Sequence, residues 1–207
     1  MNDVHIFGAA MENLSRRERK QRESADLIAD AAYALFEQRG YDQVSMEDIA
    51  RAADVAKGTL YSRFPAKEAI LVHCFHRALA ADAPQLLHDL QQLADCRSRL
   101  RHFFHASAAW SRQQRGYLRP YLRYRFATAF DAQRERSQLG MLLSSLLAAG
   151  VAAGEVRADL PLPQLVLALE MLYSGVLMTW LEQDDDLTQR MDDMLALFFA
   201  GAEVRHA

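Results

Sequence analysis

The 207-residue chain reads as all-α: a small amino-terminal three-helix domain of the helix-turn-helix kind, then a larger helical domain, with about nine helices in all. Three observations carry that reading. Ala and Leu dominate a chain that is 51% hydrophobic, with five prolines, nine glycines and few β-branched residues. Apolar residues recur at spacings of three and four along most of its length. Residues 25–70, ADLIADAAYALFEQRGYDQVSMEDIARAADVAKGTLYSRFPAKEAI, hold three such segments joined by very short turns.

The first helix is expected over 16–39, with Leu27, Ile28, Ala31, Ala32, Leu35 and Phe36 as its apolar stripe. Gly40 ends it, since glycine takes the left-handed cap conformation without steric penalty, and Tyr41 folds back as a plug. Ser45 opens the second helix with Asp48 three residues on, a capping box with Asp in place of Glu. Met46, Ile49, Ala50 and Ala53 form its buried face, and Val55 pins the turn that follows. The third helix covers 57–64 with Leu60 and Phe64 inward, and Pro65 stops it.

The outward face of that third helix is unlike a solvated surface, which normally carries long Glu and Lys side chains. Gly58 and Thr59 permit close approach, Tyr61 presents a hydroxyl, Ser62 is small and polar, and Lys57 and Arg63 add positive charge. A short helix held by two others and presenting such residues is suited to a DNA major groove. Upstream, SRRERKQR places Arg16, Arg17, Arg19, Lys20 and Arg22 close together. The run fits a solvated helix end or an arm on backbone phosphate or minor groove; beside a helix-turn-helix the DNA role is favoured.

These residues resemble the TetR family of bacterial transcriptional regulators. The matching pieces are AA-x-x-LF-x-x-x-GY (31–41), S-x-x-x-IA-x-A-A (45–53) and V-x-KGTLY-x-x-FP-x-KEA-I (55–70). The likeness covers roughly residues 20–70; GEVRADLP (154–161) also looks like the junction that precedes this family's dimerisation helices. The resemblance implies phosphate contacts at Ser45, Tyr61 and Lys67 and groove contacts at Lys57, Gly58, Thr59 and Ser62. Three positions depart from the pattern. Asp54 stands where glycine is usual, and Asp tolerates positive φ better than most residues. Ala56 replaces Ser or Thr and removes an N-cap worth about 1 kcal/mol. Arg63 replaces Tyr or His and keeps a phosphate-binding chemistry.

The domains are expected as a disordered tail (1–14), a helix-turn-helix DNA-binding domain (15–66) and an effector-binding and dimerisation domain (67–207). In the last, helices are expected over 67–93 with a bend near Pro84, 97–114, 118–130, 132–153, 162–183 and 187–204. Gly116, Gly154, Pro161, Pro163 and the 184–186 aspartates act as breakers. The last two helices are apolar nearly all round, so one side is expected to pack on the domain and the other on a second copy, the alternative being one larger monomeric core. Leu165, Leu169, Leu172, Val176, Trp180, Met194 and Phe198 are the expected dimer contacts. A two-fold dimer spaces its recognition helices about one DNA turn or somewhat more apart, and so predicts a near-palindromic operator.

His73, Phe103, Phe104, Trp110, Tyr121, Tyr124, Glu170 and Tyr173 are the candidate pocket residues. Aromatic residues at helical spacing are usually plain core, but the resemblance implies a small-molecule pocket among these helices. Glu170 reads first as half of an ion pair with Arg119 or Arg123, or as a residue at the dimer edge, and second as a ligand contact. Arg119, Arg123 and Arg125 fit surface solvation better than an anionic ligand.

A net charge of −3 argues against a non-specific nucleic-acid coat and not against a local basic face. The sequence shows no phosphate loop, metal-ligand spacing or nucleophile elbow, so neither catalysis nor any cofactor or metal is expected. Cys74 and Cys96 read as reduced thiols of a cytoplasmic protein. No secretory leader is evident whether translation starts at Met1 or Met11, and Glu170 argues against a membrane span over 164–181. The expected partners are a double-stranded DNA operator, a second copy of the chain and a small hydrophobic or aromatic effector that releases the operator. The alternatives are an activator, or a DNA-organising dimer without an effector.

Overall fold

The structure, a computed structural model, describes residues 15–128, 138–183 and 185–202. Among them are nine α-helices and no strand: α1 (Arg16–Arg39), α2 (Met46–Ala52), α3 (Lys57–Arg63), α4 (Lys67–Gln91), α5 (Cys96–Gln113), α6 (Arg115–Ala127), α7 (Gln138–Ala152), α8 (Leu162–Glu182) and α9 (Leu187–Ala202). They form two compact units, Met1–Leu79 and Ala80–Ala207. The expected tail at 1–14, the helix start near 132 and the helix end at 204 lie outside the described residues.

In the first unit, α1 starts at Ser15, whose hydroxyl accepts from Glu18 N while the Glu18 carboxylate accepts from Ser15 N. Its buried stripe is Ala25, Ile28, Ala29, Ala32, Leu35 and Phe36; Leu27, expected inward, is 67% exposed. The register of buried residues runs 25, 28/29, 32, 35/36, which rotates Leu27 to the outer side. Gly40 takes φ 81° and ψ 146°, extended backbone of positive φ instead of the left-handed helical cap. That region belongs to glycine alone, and no atom lies within 4 Å of a Cβ built there, so the requirement is conformational. A single 3₁₀ turn (Tyr41–Gln43) then buries Tyr41 against Phe36, with ring centroids 4.9 Å apart.

Ser45 and Asp48 form the capping box of α2, and Ile49 and Ala50 are its buried residues; Met46 and Ala53 are half-buried. Asp54 has φ 51°, so the turn keeps its left-handed residue without glycine. Ala56 sits at the N-cap of α3 with no side-chain hydrogen bond. Leu60 (0% exposed) and Phe64 (6%) anchor α3. Ile70, Leu71 and Phe75 of α4 are also buried, which is why the first unit extends through Leu79.

In the second unit α5 and α9 pack along each other, as do α7 with α8 and α8 with α9. Leu100, Phe104, Ala108, Leu143, Leu147, Leu169, Leu187 and Met191 are fully buried. Asp95 caps α5 through Ser98 N at 2.8 Å, and Glu155 accepts from Cys96 N at 2.6 Å. Gly150 lies against this corner: a Cβ there would meet Cys96 Cβ and Sγ at 2.8 Å. Gly116 does not break the chain as expected; it lies in the first turn of α6, and the α5–α6 junction is the single residue Gln114. Pro161 is the N-cap of α8, with Pro163 in its first turn where a missing N–H is harmless. Asp186 accepts from Thr188 N at the start of α9.

Candidate nucleic-acid interface

Leu60 and Phe64 fix one side of α3 in the first unit, and this anchoring decides what the other side presents. Ala56, Lys57, Gly58, Thr59, Tyr61 and Ser62 are all exposed, with Tyr61 at 46% despite its size. Ser62 Oγ donates to the Thr59 carbonyl at 2.9 Å. Gly58 has no atom within 4 Å of a built Cβ and no positive φ, so nothing inside the chain requires glycine there. A glycine in a helix lowers its stability by about 1 kcal/mol relative to Ala. It leaves bare backbone on the exposed side of α3.

The charged residues around this face are already partly committed. Lys57 Nζ donates to Glu47 Oε1 at 3.1 Å across the α2–α3 turn, and this bond holds the Glu47 carboxyl below its ordinary range. Ser45 Oγ accepts from Asp48 N and donates to the Asp48 carboxylate at 2.6 Å. Lys67 donates to the carbonyls of Tyr41 and Val44 at 2.8 and 3.1 Å and lies 4.2 Å from the Tyr41 ring centroid. It thus ties α4 to the bend before α2, a role that the chain order alone does not reveal.

Arg63 turns away from the groove face and donates to the Gln21 carbonyl of α1. Together with Arg16, Arg17, Lys20 and Gln21 it lines a shallow surface groove. Four cationic side chains from two helices therefore face one space. Arg16 and Arg17 were legible as charges; their convergence with Arg63, 47 and 46 residues further on, was not. The run Arg16–Arg22 is helical from its first residue, because Ser15 caps it.

The candidate pocket residues separate. His73 belongs to the first unit, where Nε2 is 2.7 Å from Asp26 Oδ1 and the ring packs on Phe64. Phe103, Phe104 and Tyr173 come together in the second unit, with ring centroids 5.0 and 5.3 Å apart. Tyr173 Oη lies 2.6 Å from Ser107 Oγ, and burial pushes its phenol up to about 12. Trp110, Tyr121, Tyr124 and Glu170 are half-buried. Arg119 pairs with Glu182 at 2.8 Å.

The expected dimer contacts divide as well. Leu165, Leu169, Trp180, Met194 and Phe198 are buried within the chain, while Leu172 and Val176 are half-buried. The exposed apolar residues are Leu167 (55%), Met171 (51%) and Met178 (49%) on α8 and Leu197 (65%) on α9. A helix apolar all round leaves open which stripe its own domain takes, and the domain takes the stripe containing 165, 169 and 180. By length and composition α8 is also apolar enough to cross a membrane.

Residues 28–74 match the family model described as bacterial regulatory proteins, tetR family. A repressor of Mycolicibacterium smegmatis, KstR, is 46% identical over 57 residues, 28% of each chain. The YuxN regulator of Bacillus subtilis is 41% identical over 51 residues, 25% of this chain and 18% of that one. These alignments thus span under a third of those relatives' length. Two likenesses are longer. The fatty acid metabolism regulator protein of Bacillus subtilis is 25% identical over 189 residues, covering 84% of this chain and 93% of the other. The structure of Thermus thermophilus FadR, a TetR family transcriptional repressor in complex with lauroyl-CoA, is 28% identical, with a TM-score of 0.76 and coverage of 88% and 97%. With the helix-turn-helix geometry of α2 and α3 and these matches, residues 28–74 are a DNA-binding domain of the tetR family of bacterial regulatory proteins, and the chain over most of its length is similar to the TetR family repressor FadR.

Proposed function

We propose that the chain is a homodimeric DNA-binding transcriptional repressor whose operator is released when a fatty acyl thioester binds the second unit. The observation that carries the DNA reading is the outward face of α3, where Lys57, Gly58, Thr59, Tyr61 and Ser62 are exposed on a helix anchored by Leu60 and Phe64. Gly58 supports it most directly, because the fold itself has no need of glycine there. Tyr61 and Ser45 act on backbone phosphate, and the Arg16, Arg17, Lys20 and Arg63 groove adds contacts beyond the recognition helix. Lys67 acts by holding the bend before α2 and offers its charge to phosphate from that fixed position.

The acyl effector is drawn from the lauroyl-CoA-bound relative and from the fatty acid regulator, both alike over most of the chain. The aromatic and aliphatic interior of α5 and α8 suits a long apolar chain. The exposed stripe Leu167, Met171 and Met178, with Leu197, supplies the apolar surface for a second copy. The relatives act in regulation, and this reading assigns the chain no catalysis.

The test is footprinting of the DNA upstream of the chain's own coding region, with and without lauroyl-CoA. Protection of a near-palindrome that lauroyl-CoA abolishes supports the whole reading. No protection at low salt removes the DNA assignment, and protection indifferent to lauroyl-CoA removes the effector.

A further inference from the structure

Lys57, the first residue of α3, holds its ammonium 3.1 Å from Glu47 Oε1 in the first turn of α2. The Lys57 side chain is 65% exposed and that of Glu47 43%. An ion pair this open to solvent adds little to stability, so its presence is not explained by the fold. Ala56 and Gly58, on either side of Lys57, are exposed and small, so the pair stands beside nearly bare backbone. The N-terminal residues of a recognition helix are the ones that reach base edges. On a surface that meets phosphates, a carboxylate lowers affinity for every DNA sequence alike. Its favourable use there is to accept from a base amino group in the major groove. The Lys57 bond holds the Glu47 carboxyl below its ordinary range, so it is an acceptor at neutral pH. The ammonium has three protons and gives one to Glu47, leaving two to donate. Side by side, the pair offers two donors and then an acceptor. A G·C pair offers the converse along its major-groove edge: guanine N7 and O6 accept next to each other, and cytosine N4 donates beyond them. An A·T pair sets its donor, adenine N6, between two acceptors, N7 and thymine O4, so the order does not match.

We propose that Lys57 and Glu47 together read one G·C base pair in each operator half-site, Lys57 donating to guanine N7 and O6 and Glu47 accepting from cytosine N4. This rests on the DNA reading above and names a base pair that the operator must contain. Glu47 is the specificity-determining half. A lysine alone donates to any phosphate or acceptor within reach of its flexible stem. Bound to Glu47 across the turn, its ammonium is held at the end of α3 and its charge is balanced. The carboxylate then distinguishes cytosine, whose N4 donates, from thymine, whose O4 is an acceptor and carries no proton for it.

The test uses the full-length chain and a pool of DNA duplexes with a randomised centre, from which the unaltered protein, Glu47→Ala and Lys57→Ala each select bound sequences. The unaltered protein should return a near-palindrome with a fixed G·C pair in each half-site. Both variants should lose the preference at that same pair and keep the others, which also shows that they are folded. Gel shifts on the selected duplex, and on one with that pair changed to A·T, should show the unaltered protein discriminating about 5- to 150-fold, the span of one good base contact. Either variant should bring that ratio close to one. Variants that relax different base pairs, relax an A·T pair or weaken every position alike overturn the assignment. A palindrome whose preferences survive in both variants overturns it too and leaves the DNA reading standing. Selection of no sequence by the unaltered protein removes both.

Discussion

Gly58 is the residue at which stability and function pull in opposite directions. In α3 it lowers helix stability by about 1 kcal/mol relative to Ala, and a Cβ would meet nothing within 4 Å. Gly58→Ala is therefore expected to raise the melting temperature slightly and to weaken operator binding, because the added methyl stands between the helix backbone and the DNA. Gel-shift titration beside thermal melting checks this; a variant that is both more stable and fully binding would remove the close-approach argument. The buried thiols make a second prediction at this scale. Burial pushes Cys74 and Cys96 from 9.0 up to about 11, so the folded thiols stay protonated where the unfolded ones ionise. Above pH 9 the unfolded state then binds fewer protons than the folded one, and stability falls as pH rises towards 11. Denaturant melts from pH 7.5 to 10.5 should show that decline, and it should shrink in Cys74→Ala and Cys96→Ala. Replacing both without reducing the slope would assign it to other groups.

At the scale of elements, the decisive object is α8, one of whose sides closes its own domain while the other bears Leu167, Met171 and Met178. Such a stripe, with the exposed Leu197 of α9, is costly to leave in water and is the surface proposed for the second copy. Met171→Glu is expected to shift the protein to monomer in sedimentation velocity at micromolar concentration, with helical content unchanged, and to weaken operator binding at least tenfold. A dimer that survives both Met171→Glu and Leu167→Glu places the interface elsewhere. The same helix shows where the sequence stops being legible. Its existence and ends follow from periodicity and from Pro161, but a helix apolar on every side carries no signal of orientation, so Leu169 and Trp180 looked like contacts although they are core. The first unit was the easier case. Ser45, Asp48, Leu60 and Phe64 act locally, and local spacing is what a sequence displays. Arg63 on Gln21 and Lys67 on Tyr41 and Val44 depend on residues 23 to 42 positions away, which no spacing rule reaches.

For the whole molecule, release of an operator by an effector is a linkage between two binding equilibria, and linkage is reciprocal. If lauroyl-CoA weakens operator affinity by some factor, typically about 5–150-fold for such couplings, the operator must weaken lauroyl-CoA affinity by the same factor. The effect requires only that the ligand prefer the conformation that binds DNA poorly. It also requires that the ligand stabilise the folded protein by mass action, about 2.7 kcal/mol at a hundredfold excess over its Kd. Both quantities are measurable on the unaltered chain: calorimetric titration of lauroyl-CoA with and without saturating operator, and the melting temperature with and without ligand. The expected outcome is an elevated melting temperature and a ligand Kd that rises on the operator by the factor seen for DNA release. A melting temperature that rises while the operator leaves the ligand Kd unchanged would describe a protein that binds acyl thioesters and DNA independently. Ligand binding in the second unit would then have no control over the face of α3.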